Sequence, residues 1–259
     1  MRTALIQFHV DPDDSVDARR TKAAALVREQ SGADLVVLPE LWPVGAFSFR
    51  SFEEAAEPAA EGPTAQVMSA AARDAAVWLH AGSVIERAPD GALYNTALVF
   101  APDGTLAATY RKIHRFGFDR GEATLLSAGT APVTLHAADT TLGLATCYDL
   151  RFPELFRALT DAGAQVIVLP AGWPAARGAH WTLLARARAV ENQCHVLACG
   201  TAGTHAGVPQ FGHSAVFDPW GETVAELPHD EPGVLTAELD LGQVGTVRSE
   251  FPVLKDRVL

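Results

Sequence analysis

Two stretches of this chain echo one another: residues Ala33 to Pro39 (ADLVVLP) and residues Ala164 to Pro170 (AQVIVLP). Each is a continuous apolar run that follows a predicted helix and stops at a proline. Such runs fit strands covered on both faces, as in a parallel or mixed sheet flanked by helices. The echo points to two similarly wound halves, each ending a strand near a shared crevice. Ligand sites in α/β folds favour the carboxyl ends of such strands. Glu40 stands immediately after the first run.

The rest of the chain fits this plan. Thr3 to Phe8 reads as a strand, and Asp14-Ser15 caps a helix to about Gln30. Pro63 opens an alanine-rich helix through Ala76, and Val77 to Ile85 is a strand. Ala92 to Phe100 and Thr105 to Tyr110 flank Pro102-Asp103-Gly104, a hairpin signal. Tyr110 to Gly129 is polar and aperiodic, with basic Arg111, Lys112, Arg115 and Arg120, and reads as a long loop; long loops in compact domains are often functional. Strands follow at Val133 to Ala137 and Leu142 to Thr146, with Asp139 at the turn between them. Pro153 opens a helix to about Ala162. Another helix runs from about His180 to Asn192, into a strand from His195 to Gly200. Ser214 to Phe217 and Glu222 to Leu227 form a hairpin, and Gly233 to Leu241 is a last strand. The tail from Val244 shows no clear pattern. No low-complexity linker interrupts the chain, so one domain over residues 1–259 is expected.

The 259 residues, 48% apolar, suffice for one large core. A net charge of −11 disfavours nucleic acid as a partner and keeps a soluble protein dispersed. No apolar run approaches the ~18 residues of a membrane span, and the N-terminus lacks a signal-peptide pattern. A cytoplasmic protein is expected. Its three cysteines, Cys147, Cys194 and Cys199, are odd in number and do not read as a disulfide framework. No spacing resembles a zinc site, so neither a metal nor a cofactor is implied. Cys194 and Cys199 read as core residues.

Cys147 is different. It falls where a strand gives way to a polar run, just before a helix, and such a junction can project a nucleophile among free backbone N–H groups. A thiol needs a base to take its proton or a cation to lower its pKa. No Cys-His signature is present, but a carboxylate with a lysine is a second solution. Glu40, at the end of a buried strand, would be partly desolvated and pushed toward the range of a general base. Lys112 opens the long loop and could hold an oxyanion. A second cysteine close enough in sequence to resolve Cys147 in redox chemistry is absent.

Leu38 to Leu41 (LPEL), Tyr110 to His114 (YRKIH) and Thr146 to Glu154 (TCYDLRFPE) occur in that order. This arrangement resembles the nitrilase superfamily, the carbon–nitrogen hydrolases. The resemblance covers most of the chain, to the hairpin at Gly212 to Glu222 (GHSAVFDPWGE). It implies a four-layer α-β-β-α sandwich of two mixed sheets flanked by helices. It also implies roles: Cys147 as nucleophile, Glu40 as general base and then acid, and Lys112 with the Tyr148 N–H as oxyanion holders. Glu122, in Arg120-Gly-Glu-Ala123, best matches a further family glutamate. The implied chemistry is two-step acyl transfer through a thioester, with ammonia as the first product. Sheets paired back to back imply a homodimer.

Trp173 to Trp181 (WPAARGAHW) and Leu183 to Gln193 (LLARARAVENQ) resemble the bacterial ω-amidase branch, which cleaves the side-chain amide of 2-oxo acids such as 2-oxoglutaramate. Arg177 would then grip a substrate carboxylate. Trp173, Phe116 and Phe118 would line the pocket. The chain departs from that branch at Arg115, where leucine is common, and at Ala198 to Gly203 (ACGTAG), which lacks the usual Asn-Arg pair. The expected activity is hydrolysis of a small non-peptide amide. The alternatives are an N-carbamoyl amino acid or other amide hydrolase, or a catalytically silent small-molecule binder.

Overall fold

The computed structural model describes residues 1–117 and 119–258. The first half comprises β1 (Arg2–Gln7), α1 (Val16–Arg28), β2 (Leu35–Val37), α2 (Phe52–Ala55), α3 (Pro63–Ala75), β3 (Trp78–Arg87), β4 (Leu93–Phe100) and β5 (Leu106–Arg111). A short α4 (Glu122–Leu125) leads to β6 (Val133–Ala137), β7 (Thr140–Leu144), α5 (Pro153–Asp161), β8 (Val166–Ala171), α6 (Gly178–Asn192) and β9 (His195–Gly200). A two-residue hairpin, β10 (Thr204–His205) with β11 (Val208–Pro209), precedes β12 (Ala215–Phe217), β13 (Thr223–Glu226), β14 (Gly233–Glu238) and α7 (Gly242–Glu250).

The larger strands form two six-stranded sheets, β14-β1-β2-β3-β4-β5 and β6-β7-β8-β9-β12-β13. Read in these directions, both sheets pair antiparallel, parallel, parallel, antiparallel, antiparallel. The echoed runs become β2 and β8, the third strand of each sheet. The sequence echo therefore marks equivalent positions in two halves of like topology.

Side-chain alternation then dictates the layers. Leu35 and Val37 of β2 face a cluster that includes Val166 and Val168 of β8, which packs sheet on sheet. The intervening Val36 and Leu38 join Ala23, Ala24 and Val27 of α1 and Met68, Ala71 and Ala72 of α3. Ile167 and Leu169 join Phe156 and Leu159 of α5 and Ala185 and Ala189 of α6. The result is the expected four-layer α-β-β-α sandwich of two mixed sheets. Truncating a leucine in the middle layer, such as Leu197, is expected to cost about 2–5 kcal/mol.

Local signals act where they were expected. The Ser15 hydroxyl accepts the Ala18 N–H at the start of α1. Pro63 and Pro153 occupy the first turns of α3 and α5. Three features differ. The strand before Cys147 ends at Leu144, because the chain must turn toward the site. The long loop contains α4. The tail forms α7, whose glycines and sparse burial, with Val244 and Val247 inside, leave little periodic signal.

Candidate active site

Glu40, Lys112, Glu122 and Cys147 converge at one end of the two sheets. Glu40 follows β2 and is held by a bulge in the neighbouring strand. The β3–β4 register shifts between His80 and Ser83, and Gly82 sits there with φ +66°. A Cβ at Gly82 would fall 1.9 Å from the Pro39 carbonyl oxygen, so only glycine admits the Glu40 turn. The Leu41 N–H donates to Ser83 Oγ at 3.1 Å, and the Trp42 indole N–H donates to the Ala81 carbonyl at 2.9 Å. Lys112 follows β5, and its main-chain N–H donates to the Asn95 carbonyl at 2.8 Å. Glu122 begins α4.

Cys147 opens a 3-10 turn, Cys147–Arg151, with φ +48°. A non-glycine residue in this region carries backbone strain, and such residues cluster at functional sites. The Tyr148 N–H is near the start of that turn, where N–H groups have no acceptor within the turn itself. Asp149 clamps the turn. Its carboxylate, fully buried, accepts the Tyr110 hydroxyl at 2.7 Å and the Thr146 and His114 N–H groups at 2.9 and 3.0 Å. His114 Nδ1 is 2.7 Å from it, and the imidazole stacks on Phe152. Tyr110 and His114 bracket Lys112, so one carboxylate ties the lysine segment to the cysteine turn. Burial and the charge of Asp149 hold the Tyr110 phenol far above its ordinary pKa.

The polar groups are deeply buried: Glu40 is 1% exposed, and Lys112 and Glu122 are each 2%. The Lys112 ammonium lies 2.7 Å from Glu40 Oε1 and 2.7 Å from Glu122 Oε2. Burial by itself would pull the lysine down, but the charges of Glu122 and Glu40 outweigh it and hold Lys112 well above the ordinary value. Burial pushes Glu122 up, the Lys112 charge pulls it back, and the Glu40 charge adds to the rise. Burial also pushes the Cys147 thiol well up, reinforced by the Glu40 charge and opposed by Lys112. At neutral pH Cys147 therefore rests as a thiol, and a nucleophilic role for its sulfur would need a base.

Gly172, just past β8, completes the cluster from the other half. Its N–H donates to Glu40 Oε2 at 2.8 Å, and its carbonyl is 3.7 Å from Cys147 Sγ. A Cβ there would lie 2.3 Å from the Ala46 Cβ. The β2 and β8 ends thus meet at Glu40, as the sequence echo implied.

A cleft of about 370 Å³, its open mouth included, leads to Cys147. This is at the small end of ligand clefts. Phe47, Phe116, Tyr148 and Trp173 line it, and Arg151 and Arg177 stand among them. The Arg177 guanidinium is 5.7 Å from the Phe116 ring centre, and that of Arg151 is 4.9 Å from Trp173. Neither arginine forms an ion pair among the described residues. Glu40, Lys112, Glu122, Cys147, Tyr148, Phe116, Trp173 and Arg177, all singled out from sequence, are brought together. Phe118 lies outside the described residues. Arg115 points elsewhere: it donates to the Leu126 and Ala123 carbonyls at 2.6 and 3.3 Å and braces the loop. Sequence reading missed Asn95, Asp149, Arg151, Gly172 and Phe47. Asp149 and Arg151 stand inside the Cys147 motif; the others carry no local signal.

A family model for carbon-nitrogen hydrolases matches residues 2–249. The chain is 41% identical to a 2-oxoglutaramate amidase of Paenarthrobacter nicotinovorans, over 98% of this chain and 88% of that protein. It is 37% identical to omega-amidase NIT2 of Homo sapiens, over 99% of this chain and 94% of that one. Among solved structures it resembles Saccharomyces cerevisiae Nit3, a member of branch 10 of the nitrilase superfamily. That match has TM-score 0.89 and 33% identity, covering 100% of this chain and 97% of the other. It also resembles the E41L mutant of the amidase from Nesterenkonia sp. AN1, with TM-score 0.81 and 28% identity over 98% and 97% of the two chains. That structure shows covalent addition of the acetamide moiety of fluoroacetamide at the active-site cysteine.

Proposed function

The chain belongs to the carbon–nitrogen hydrolase family, and from that premise we propose an ω-amidase-type reaction on a short amide that carries a carboxylate at its far end. The observation that carries this reading is the pair Arg151 and Arg177. Both stand in the wall of an otherwise aromatic cleft that ends at Cys147, and neither is neutralised by a protein carboxylate among the described residues. Arg151 is half-buried, with a guanidinium nitrogen 3.3 Å from His180 Nδ1, and Arg177 is exposed; a guanidinium in a cleft wall that no carboxylate neutralises favours an anionic ligand, and arginine suits carboxylates through paired hydrogen bonds. The small cleft limits the acyl group to a few carbons.

The cycle follows from the positions of the groups. Glu40 takes the Cys147 proton as sulfur attacks the amide carbon. The oxyanion is met by the Lys112 ammonium and the Tyr148 N–H. Glu40 then returns the proton to the leaving nitrogen, the C–N bond breaks, and ammonia departs to leave a thioester. Glu40 next deprotonates a water that attacks the thioester, and the carboxylic acid leaves as the thiol is restored. Two steps of moderate barrier replace one high barrier. Glu122 contributes by holding Lys112 in place.

A homodimer belongs to the same proposal. Leu183 and Val190 lie two turns apart on α6, at 65% and 47% exposure, and Trp220 and Phe251 are 47% and 55% exposed. Trp220 stacks on Phe251, and Gly221 abuts Val190, so Val190, Trp220 and Phe251 adjoin. Exposed apolar patches of this kind mark association surfaces. Light scattering is expected to give twice the chain mass, and Leu183→Lys with Val190→Lys to give a monomer. A cytoplasmic location is also part of this reading; among the described residues no helix is long and apolar enough to cross a membrane.

The deciding experiment measures ammonia release from 2-oxoglutaramate, succinamate, neutral amides, N-carbamoyl amino acids and nitriles. The carboxylate-bearing ω-amides are expected to react best, and Cys147→Ala to abolish turnover. Arg151→Ala and Arg177→Ala should raise KM for these substrates and leave neutral amides unchanged. Turnover that survives Cys147→Ala, or equal effects of the arginine variants on charged and neutral amides, would refute the proposal.

A further inference from the structure

Asn95 of β4 is 2% exposed and lies between the two glutamates. Its amide nitrogen is 2.8 Å from Glu40 Oε1 and 2.8 Å from Glu122 Oε1. The Lys112 ammonium bridges the same pair from another direction, at 2.7 Å to each. The two carboxylates are thus joined twice, once by a cation and once by a neutral amide.

The chemistry of the amide decides what this means. Its nitrogen has two protons to give and accepts none. Both neighbouring oxygens must therefore be acceptors. With Asn95 in place each carboxylate receives three hydrogen bonds. Glu40 takes them from Lys112, Asn95 and the Gly172 N–H; Glu122 takes them from Lys112, Asn95 and the Phe116 N–H at 2.8 Å. Hydrogen bonds to the ionised form favour that form. The opposing pressure is strong. Two carboxylates share one ammonium in a buried site, and burial with like charge drives a proton onto such a pair. Among the described residues, the other titratable and charged groups at this site are Cys147, from the turn after β7, and Tyr148, Arg151 and Arg177 in the cleft wall.

We propose that Asn95 is a positioning residue that keeps Glu40 and Glu122 both ionised around Lys112, so that Glu40 remains free to accept the Cys147 proton. Its main chain adds to this, since its carbonyl accepts the Lys112 N–H at 2.8 Å. The inference rests on the reading of Glu40 as the base for Cys147, but not on the identity of the amide.

The test uses the full-length protein with Asn95→Leu, which is of similar size and has no donor, and Asn95→Ser, which is smaller and retains one. Two pH profiles are measured: kcat/KM on the best amide, and the rate of Cys147 alkylation by iodoacetamide. Losing hydrogen bonds to the ionised pair raises the pH at which it takes up a proton, so the acid limb moves upward. One charge-assisted hydrogen bond corresponds to about one pH unit. In Asn95→Leu both acid limbs should rise by about one unit or more, giving about tenfold lower activity on the limb, with KM within about threefold. Asn95→Ser should fall between. Acid limbs that coincide with the wild type, whatever happens to kcat, would overturn the proposal and leave Asn95 a packing residue. Alkylation needs no amide substrate. If no tested amide is hydrolysed, the proposed function fails while the alkylation profile still decides the role of Asn95.

Discussion

Replacing Lys112 with methionine keeps the length of the side chain and removes the one cation that, among the described residues, touches both Glu40 and Glu122. The lysine is 2% exposed, and each contact is 2.7 Å. Removing one partner of a buried ion pair costs about 3–5 kcal/mol, because the remaining charge stays buried without compensation. For a chain of this size 1 kcal/mol moves Tm by about 2 °C, so Lys112→Met should melt about 6–10 °C below the wild type at pH 7. The penalty depends on pH with a definite sign. Without the ammonium the carboxylate pair binds a proton more tightly in the folded state than the ~4.3 of an unfolded glutamate. A group whose folded pKa is raised loses stability as pH rises from the unfolded value to the folded one, by about 1.4 kcal/mol per unit. The deficit relative to wild type should therefore be small at pH 5 and complete near pH 7 to 8. Differential scanning calorimetry of both proteins from pH 5 to 8 measures it. Adding Glu122→Gln removes the second negative charge and should recover half or more of the loss. A deficit that is the same at pH 5 and pH 7, or a double variant no more stable than the single one, would refute the shared-charge account.

Gly172→Ala places a methyl group against Ala46 and pushes the Gly172 N–H away from Glu40; a displacement near 1 Å should lower kcat about 100-fold, seen in steady-state kinetics with circular dichroism unchanged. Asp149→Asn leaves at least one of its buried donors facing an NH2 group; it should cost about 1–3 kcal/mol by urea unfolding and lower kcat, because the cysteine turn loosens from the lysine segment. His80 and His205 are held down to about 4 by burial. Their Nδ1 atoms accept the Gly82 and Ala46 N–H groups, bonds that protonation would break. Each histidine should therefore remove about 1.4 kcal/mol per pH unit as pH falls from ~6.5 toward 4, and equal urea midpoints at pH 7 and pH 5 would rule this out.

The strand runs, the helix starts and the order Glu40, Lys112, Cys147 are legible in the chain alone. Those signals are local. Alternation across a strand, a proline in a first turn and a capping serine act on neighbours a few residues away, and the echo of Ala33 to Pro39 with Ala164 to Pro170 reports the same local demand made twice. The departure at Arg115 was visible too, but not that its guanidinium braces the Leu126 carbonyl. What surrounds the thiol is set by contacts between segments far apart in the chain. Gly172 meets Glu40 across 132 residues and Asn95 meets it across 55. Neither carries a pattern in its own neighbourhood, because an N–H or an amide becomes a functional donor only when a distant buried carboxylate arrives without water. Arg151 lay in view within the Cys147 motif, yet its place in the cleft depends on the turn that Asp149 holds. Hydrogen bonds among buried charges are worth most where the chain has excluded solvent, and that exclusion is a property of two packed sheets rather than of any segment of either one.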